Sequence, residues 1–136
     1  MNKKKFLLLI ALVVPALGNL FAQDGNYFKS KTRTYASEVF QNCMMYATDQ
    51  YIPTYEEWMS RVEVKQVDKS VSQSLPALST LPIKEKCNNY LLTEPKKFTV
   101  EQFNPLKYFF DFYSKKEMTY RIDNSNYIVI IHPAVK

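Results

Sequence analysis

Apolar residues crowd the last third of the chain, and their spacing there predicts strands. Tyr127 to Ile131 (YIVII) is apolar at every position, so both faces of the segment avoid water, and its β-branched residues favour a strand at that length. Just before it, Met118, Tyr120 and Ile122 alternate with Thr119, Arg121 and Asp123, the period of two expected of a strand with one buried face. Asp123, Asn124, Ser125 and Asn126 between them are turn formers, because short polar side chains bond the nearby backbone and tolerate positive φ. A hairpin with Asn124 and Ser125 at its tip follows, setting Ile122 against Tyr127, Tyr120 against Val129, Met118 against Ile131, and Glu117 against His132 at the open end. Leu106 to Tyr113 fits two patterns. Leu106, Phe109, Phe110 and Tyr113 make a helix stripe behind an Asn104 cap and Pro105, whereas Leu106, Tyr108, Phe110 and Phe112 make one strand face. Tyr and Phe favour strands, so a third strand is expected here, with Ser114 to Glu117 as its turn.

The N-terminal half has a helical period. Ala36, Val39, Phe40, Cys43, Met44, Ala47 and Tyr51 fall on one side of a helix over residues 35–51, with Glu38, Gln41, Asn42 and Asp49 opposite. Pro53 then forces the helix to end before Ile52. Thr54 and Glu57 have capping-box spacing, predicting a second short helix that buries Tyr55, Trp58, Met59 and Val62. Residues 62–67 (VEVKQV) fit an edge strand or a continued helix almost equally. Asp68 to Leu81 is Ser-rich with Pro76, a long surface connection held by Leu75, Leu78 and Leu81. Pro82 to Cys87 fits a brief strand, and Asn88, Asn89 and Glu94 to Lys97 fit turns. Residues 23–34 are polar around Gly25 and predict a flexible N-terminal arm. The expected fold class is α+β: a single domain over residues 35–136, with two N-terminal helices packed on a C-terminal antiparallel sheet of three to four strands.

Composition changes this picture at one end. The chain opens MNKKKFLLLIALVVPALGNLFAQ: three lysines, an apolar run from Phe6 to Val14, Pro15, then small residues. That is the layout of a secretory signal peptide over residues 1–22, with cleavage between Ala22 and Gln23. The run is shorter than the roughly 20 residues of a membrane span, so no stable span is expected after cleavage. Of the 18 Lys and Arg, three leave with the leader and no acid does, leaving 15 against 13 Asp and Glu. The basicity is therefore mostly the leader's. Lys96 with Lys97 and Lys115 with Lys116 are isolated pairs rather than a nucleic-acid stripe.

Candidate chemistry is sparse. Cys43 and Cys87 are the only cysteines, and an even count in an exported chain points to a disulfide between them, in the periplasm or outside the cell. A thiol nucleophile activated by His132, the only histidine, is the sharper alternative, but neither cysteine has a local signature for it. One histidine and two bridged cysteines do not complete a zinc site, and no alternating Asp/Asn loop suggests calcium. With no glycine after Gly25, the chain has neither a phosphate-cradling loop nor a nucleophile elbow. No cofactor is expected. Glu101, Asp111 and Glu117 offer carboxylate pairs of the kind glycosidases use, although any chain with 13 acids offers such pairs, and solvated surface charge is the simpler reading.

Aromatic residues are the one excess: nine of 20 lie between Phe98 and Tyr127. The predicted strand at 106–113 carries rings on both faces. Tyr108, Phe109, Tyr113 and Tyr120, with Arg121 beside them, are thus the expected exposed patch for a macromolecular partner. The segment FNPLKY followed by YRIDNSNYIVI resembles the C-terminal part of small exported bacterial proteins, a resemblance that implies one structural unit over residues 103–131 and no activity. The function expected is that of an exported, non-enzymatic binding protein. The alternatives are a small secreted hydrolase or thiol enzyme, and an inhibitor of a foreign enzyme acting through a protruding loop at residues 68–81.

Overall fold

The computed structural model describes residues 22–87 and 97–134. Its centre is a four-stranded antiparallel sheet made of β1 (Ala22–Gln23), β2 (Val62–Gln66), β3 (Met118–Arg121) and β4 (Tyr127–Ile131), in the order β1-β2-β4-β3. The all-apolar β4 is an inner strand, as its lack of a polar face requires. Val129 is fully buried between Val64 and Tyr120, and Ile131 lies between Val62 and Met118. These residues meet the helices. On the opposite face Ile128 and Ile130 are also buried, with Lys65, Arg121, Glu63 and Thr119 as their cross-strand neighbours.

The predicted hairpin register is the observed one. Met118 pairs with Ile131 and Tyr120 with Val129, and the Ile122 amide donates to the Tyr127 carbonyl at 2.8 Å. The turn reverses through Asn124, whose φ of 59° lies in the left-handed region that Asn tolerates. Of residues 62–67, Val62–Gln66 settle as a strand, but not as an edge: β2 sits between β1 and β4.

Among the described residues, four α-helices accompany the sheet: α1 (Gly25–Ser30), α2 (Thr32–Val39), α3 (Ile52–Met59) and α4 (Lys69–Gln73). The expected flexible arm at 23–34 is instead folded. The Asp24 carboxylate caps α1 by accepting from the amides of Asn26 and Tyr27, and Phe28 and Thr32 are buried. One phenylalanine in a polar run carries too little periodicity to announce a helix. Gly25 has a specific role here, because a Cβ at that position would fall 1.8 Å from the Ser60 carbonyl oxygen. Only glycine lets α1 approach the end of α3 so closely.

The first long helix is also corrected. It starts earlier and ends at Val39, and Cys43 lies in the following turn. There the Cys43 amide bonds the Phe40 carbonyl, and the Asn42 amide bonds Cys87 at 2.9 Å, so a contact to a distant segment replaces continued helical bonding. Tyr35, Ala36 and Val39 keep the buried stripe. Pro53 sits inside the first turn of α3, where its missing N–H costs nothing. The helix is capped at Tyr51 rather than Thr54, with no side-chain cap bond, and Glu57 is engaged by Arg61 through paired 2.8 Å bonds.

Residues 106–113 form neither a strand nor a regular helix. The Asn104 side chain accepts from the Leu106 amide and starts a 3₁₀ turn at Pro105–Lys107. Beyond it the chain is extended and touches residues 82–84 through one bridge, Ile83 to Tyr108, and the flanking Lys84 to Lys107 and Phe109 to Pro82 backbone bonds. Leu106, Phe110 and Phe112 are nevertheless buried. The sheet's remaining neighbours come from β1 and β2, so this aromatic segment packs on the helices instead of extending the sheet.

Candidate binding surface

Cys43 and Cys87 are joined by a disulfide, which fits an oxidising compartment. Both thiols are therefore committed, and the arrangement needed for a thiol nucleophile is lost. His132 is occupied as well: its Nε2 lies 2.9 Å from Glu63 Oε1 and its Nδ1 3.1 Å from Glu117 Oε1. The Glu117 contact was legible in the hairpin register. Glu63 was not, because that contact requires β2 beside β4. Arg61 closes the same corner, donating to the His132 carbonyl and accepting the His132 amide on its own carbonyl.

The five residues of the expected patch are dispersed. Phe109 and Tyr113 are exposed, at 53% and 82%. Tyr120 is buried against Phe110, and burial first, then Asp111, pushes its phenol upward. Tyr108 is half-buried between Phe103 and Phe110. Arg121 turns its Nε to the Leu75 carbonyl. Residues 68–81 do not protrude. Ala77 bridges Arg121, the Arg121 amide bonds the Pro76 carbonyl, and Ser79 donates its amide and hydroxyl to Asp123. The connection thus covers the outer side of β3, protecting an edge strand.

A different surface emerges around α3. Tyr51, Tyr55 and Trp58 fall on one flank of that helix by their spacing, and ring contacts continue the row in both directions. Tyr46 lies 5.8 Å from Tyr51, Tyr51 6.3 Å from Tyr55, Tyr55 5.6 Å from Trp58, and Trp58 6.2 Å from Tyr113. Tyr55 is the buried floor, whereas Tyr46 and Tyr113 are exposed and Tyr51 and Trp58 half-exposed. At the Tyr46 end, the 3₁₀ turn Met44–Ala47 adds Met44 and Met45, both exposed. Part of the row is stacked on other rings. Tyr55 stacks on Phe40 and on Tyr51, and Trp58 lies parallel on Phe112 at 4.8 Å. Tyr113, Tyr46 and the thioethers of Met44 and Met45 are what the strip presents most fully to solvent.

Lys84 is a second feature that periodicity did not flag. Its Nζ donates to the Leu106 and Tyr108 carbonyls at 2.7 Å each and lies 4.5 Å from the Phe109 ring centre. Burial lowers its pKa to about 8. The ammonium serves two carbonyls left over by the irregular segment.

Among the described residues, no cluster of three His, Cys, Asp or Glu side chains is placed to hold a metal ion, and no helix is long and apolar enough to cross a membrane. Comparison with protein-family models, with curated proteins and with solved structures finds no match to this chain.

Proposed function

We propose that the chain is an exported, non-enzymatic binding protein that holds a protein partner on the strip running from Met44 and Met45 through Tyr46 and Tyr51 to Trp58 and Tyr113. The observation that carries this reading is the run of exposed thioethers and aromatic rings that ring contacts link from Tyr46 to Tyr113. Methionine adapts to varied apolar partners, and Tyr and Trp are the residues most enriched at the energetic centres of protein interfaces. Export is supported by the leader-like segment 1–22 and by the disulfide.

The test is site-specific photo-crosslinking in the secreting cell. A photoreactive residue at position 45 or 113 is expected to trap a discrete protein adduct, while one at exposed Gln66 in β2 gives none. Equal labelling from all three positions would remove the strip from consideration.

A further inference from the structure

We propose that Met44 and Met45 together form a methionine-oxidation site for hydroperoxides, placed so that the fold survives the modification. The chain has five methionines. Met1 begins the expected leader. Met59 is fully buried in the core, and Met118 is half-buried opposite Ile131. Met44 and Met45 are 54% and 67% exposed and adjacent in one 3₁₀ turn.

That turn is fastened at both ends. The Cys43–Cys87 bridge and the Asn42 amide on Cys87 hold its start, and Tyr46 packs on Phe40 and Tyr51 within it. Its two thioethers therefore stay in solvent without depending on local unfolding. Cysteine would normally compete for the oxidant, but both cysteines are already oxidised in the disulfide, so the exposed thioethers are the most accessible reduced sulfur among the described residues.

In the reaction a thioether sulfur lone pair attacks the outer oxygen of the hydroperoxide. An S–O bond forms as the O–O bond breaks, and the leaving oxygen takes a proton to give water or an alcohol. Sulfur loses two electrons to the peroxide. The product sulfoxide is polar and accepts hydrogen bonds, and sulfoxide reductases reverse it. At Met59 that change would put an unpaired polar group in the core. At Met44 and Met45 it changes only surface. Loss of partner binding on oxidation rests on the reading of the strip given above, whereas the oxidation site itself does not.

The experiment uses the folded, disulfide-intact protein and hydrogen peroxide, with peptide mass mapping of oxygen gain at each methionine over time. Met44 and Met45 are expected to oxidise at least about tenfold faster than Met59, which reacts only when the core opens, and the four sites should become equivalent in denaturant. The circular dichroism melt of protein oxidised at both positions should match that of the untreated protein. Oxidation of Met59 or Met118 at the same rate as the pair, or a melt that collapses as the pair oxidises, would overturn the proposal. The Met44→Leu, Met45→Leu double variant should take up no early oxygen while its fold persists. Early uptake elsewhere in that variant at the original rate would also overturn it.

Discussion

Replacing both bridged cysteines, Cys43→Ala with Cys87→Ala, isolates what the disulfide does for this fold. The bond closes a sequence separation of 44 residues that contains α3, β2 and α4. In the chain-entropy treatment, a loop of that length restricts the unfolded chain by about 4 kcal/mol. The two positions are only half-buried, so truncation to alanine opens little cavity, and nearly all of the loss should come from the unfolded state. At about 4 °C per kcal/mol for a domain of this size, the midpoint should fall by roughly 16 °C. Urea titration provides a second signature. Freed of its cross-link, the unfolded chain expands and exposes more surface, so the slope m should rise as the midpoint falls. Near-UV circular dichroism at low temperature should still show a native environment for the rings around Phe40 and Tyr46, because their packing needs neither sulfur. A loss below about 1 kcal/mol with an unchanged slope would refute the reasoning, since the loop would then be ordered without its bridge in both states.

Three other perturbations probe separate parts of the structure. Val129→Asp places a carboxylate at a fully buried position between Val64 and Tyr120, and a cost of several kcal/mol should leave the chain unfolded by circular dichroism and gel filtration; a folded variant would show that β4 is not central. Gly25→Ala drives a methyl into the Ser60 carbonyl, so a loss of about 1–3 kcal/mol is expected, with faster hydrogen exchange in α1 as the local readout and unchanged exchange as the contrary result. Lys84 has a pKa lowered by burial to about 8 from its ordinary 10.5. Between those values the unfolded chain holds the extra proton, so stability should rise with pH by up to about 3 kcal/mol, and Lys84→Met should abolish that rise. Above pH 10 the trend should reverse, because Tyr35, Tyr55 and Tyr120 are raised, chiefly by burial, and ionise first in the unfolded chain; urea titrations from pH 7 to 11 that show a flat profile would refute both assignments.

The sheet was legible wherever one residue pattern admitted one structure. YIVII has no polar face to give to water, and the tetrad DNSN is made of turn formers, so the hairpin and the Glu117 to His132 contact were readable from the sequence. The disulfide followed from cysteine count and compartment. What failed was periodicity in segments where another force decides. The polar stretch 25–34 is helical because Asp24 caps it and Gly25 admits it against Ser60, neither of which is a periodic signal. The aromatic run 106–113 satisfies helix and strand templates alike, and the structure uses neither. Tyr120 was misplaced for the same reason: without a strand at 106–113, Phe110 folds back over it.

The candidate surface and the misread helix are two aspects of one feature. An unbroken helix over 35–51 would have turned Cys43, Met44, Ala47 and Tyr51 inward with Ala36 and Val39, leaving no apolar strip. The chain instead leaves the helix after Val39, and the Asn42 and Cys43 contacts to Cys87 fix the turn. The later half of the stripe is thereby rotated out of the core. Met44 and Met45 become exposed, and Tyr46 and Tyr51 join Tyr55 and Trp58 in a row along α3. Side chains whose spacing would suit a core thus stand at the surface. On the function proposed above, a partner seated on the strip would cover Met44, Met45 and Tyr113.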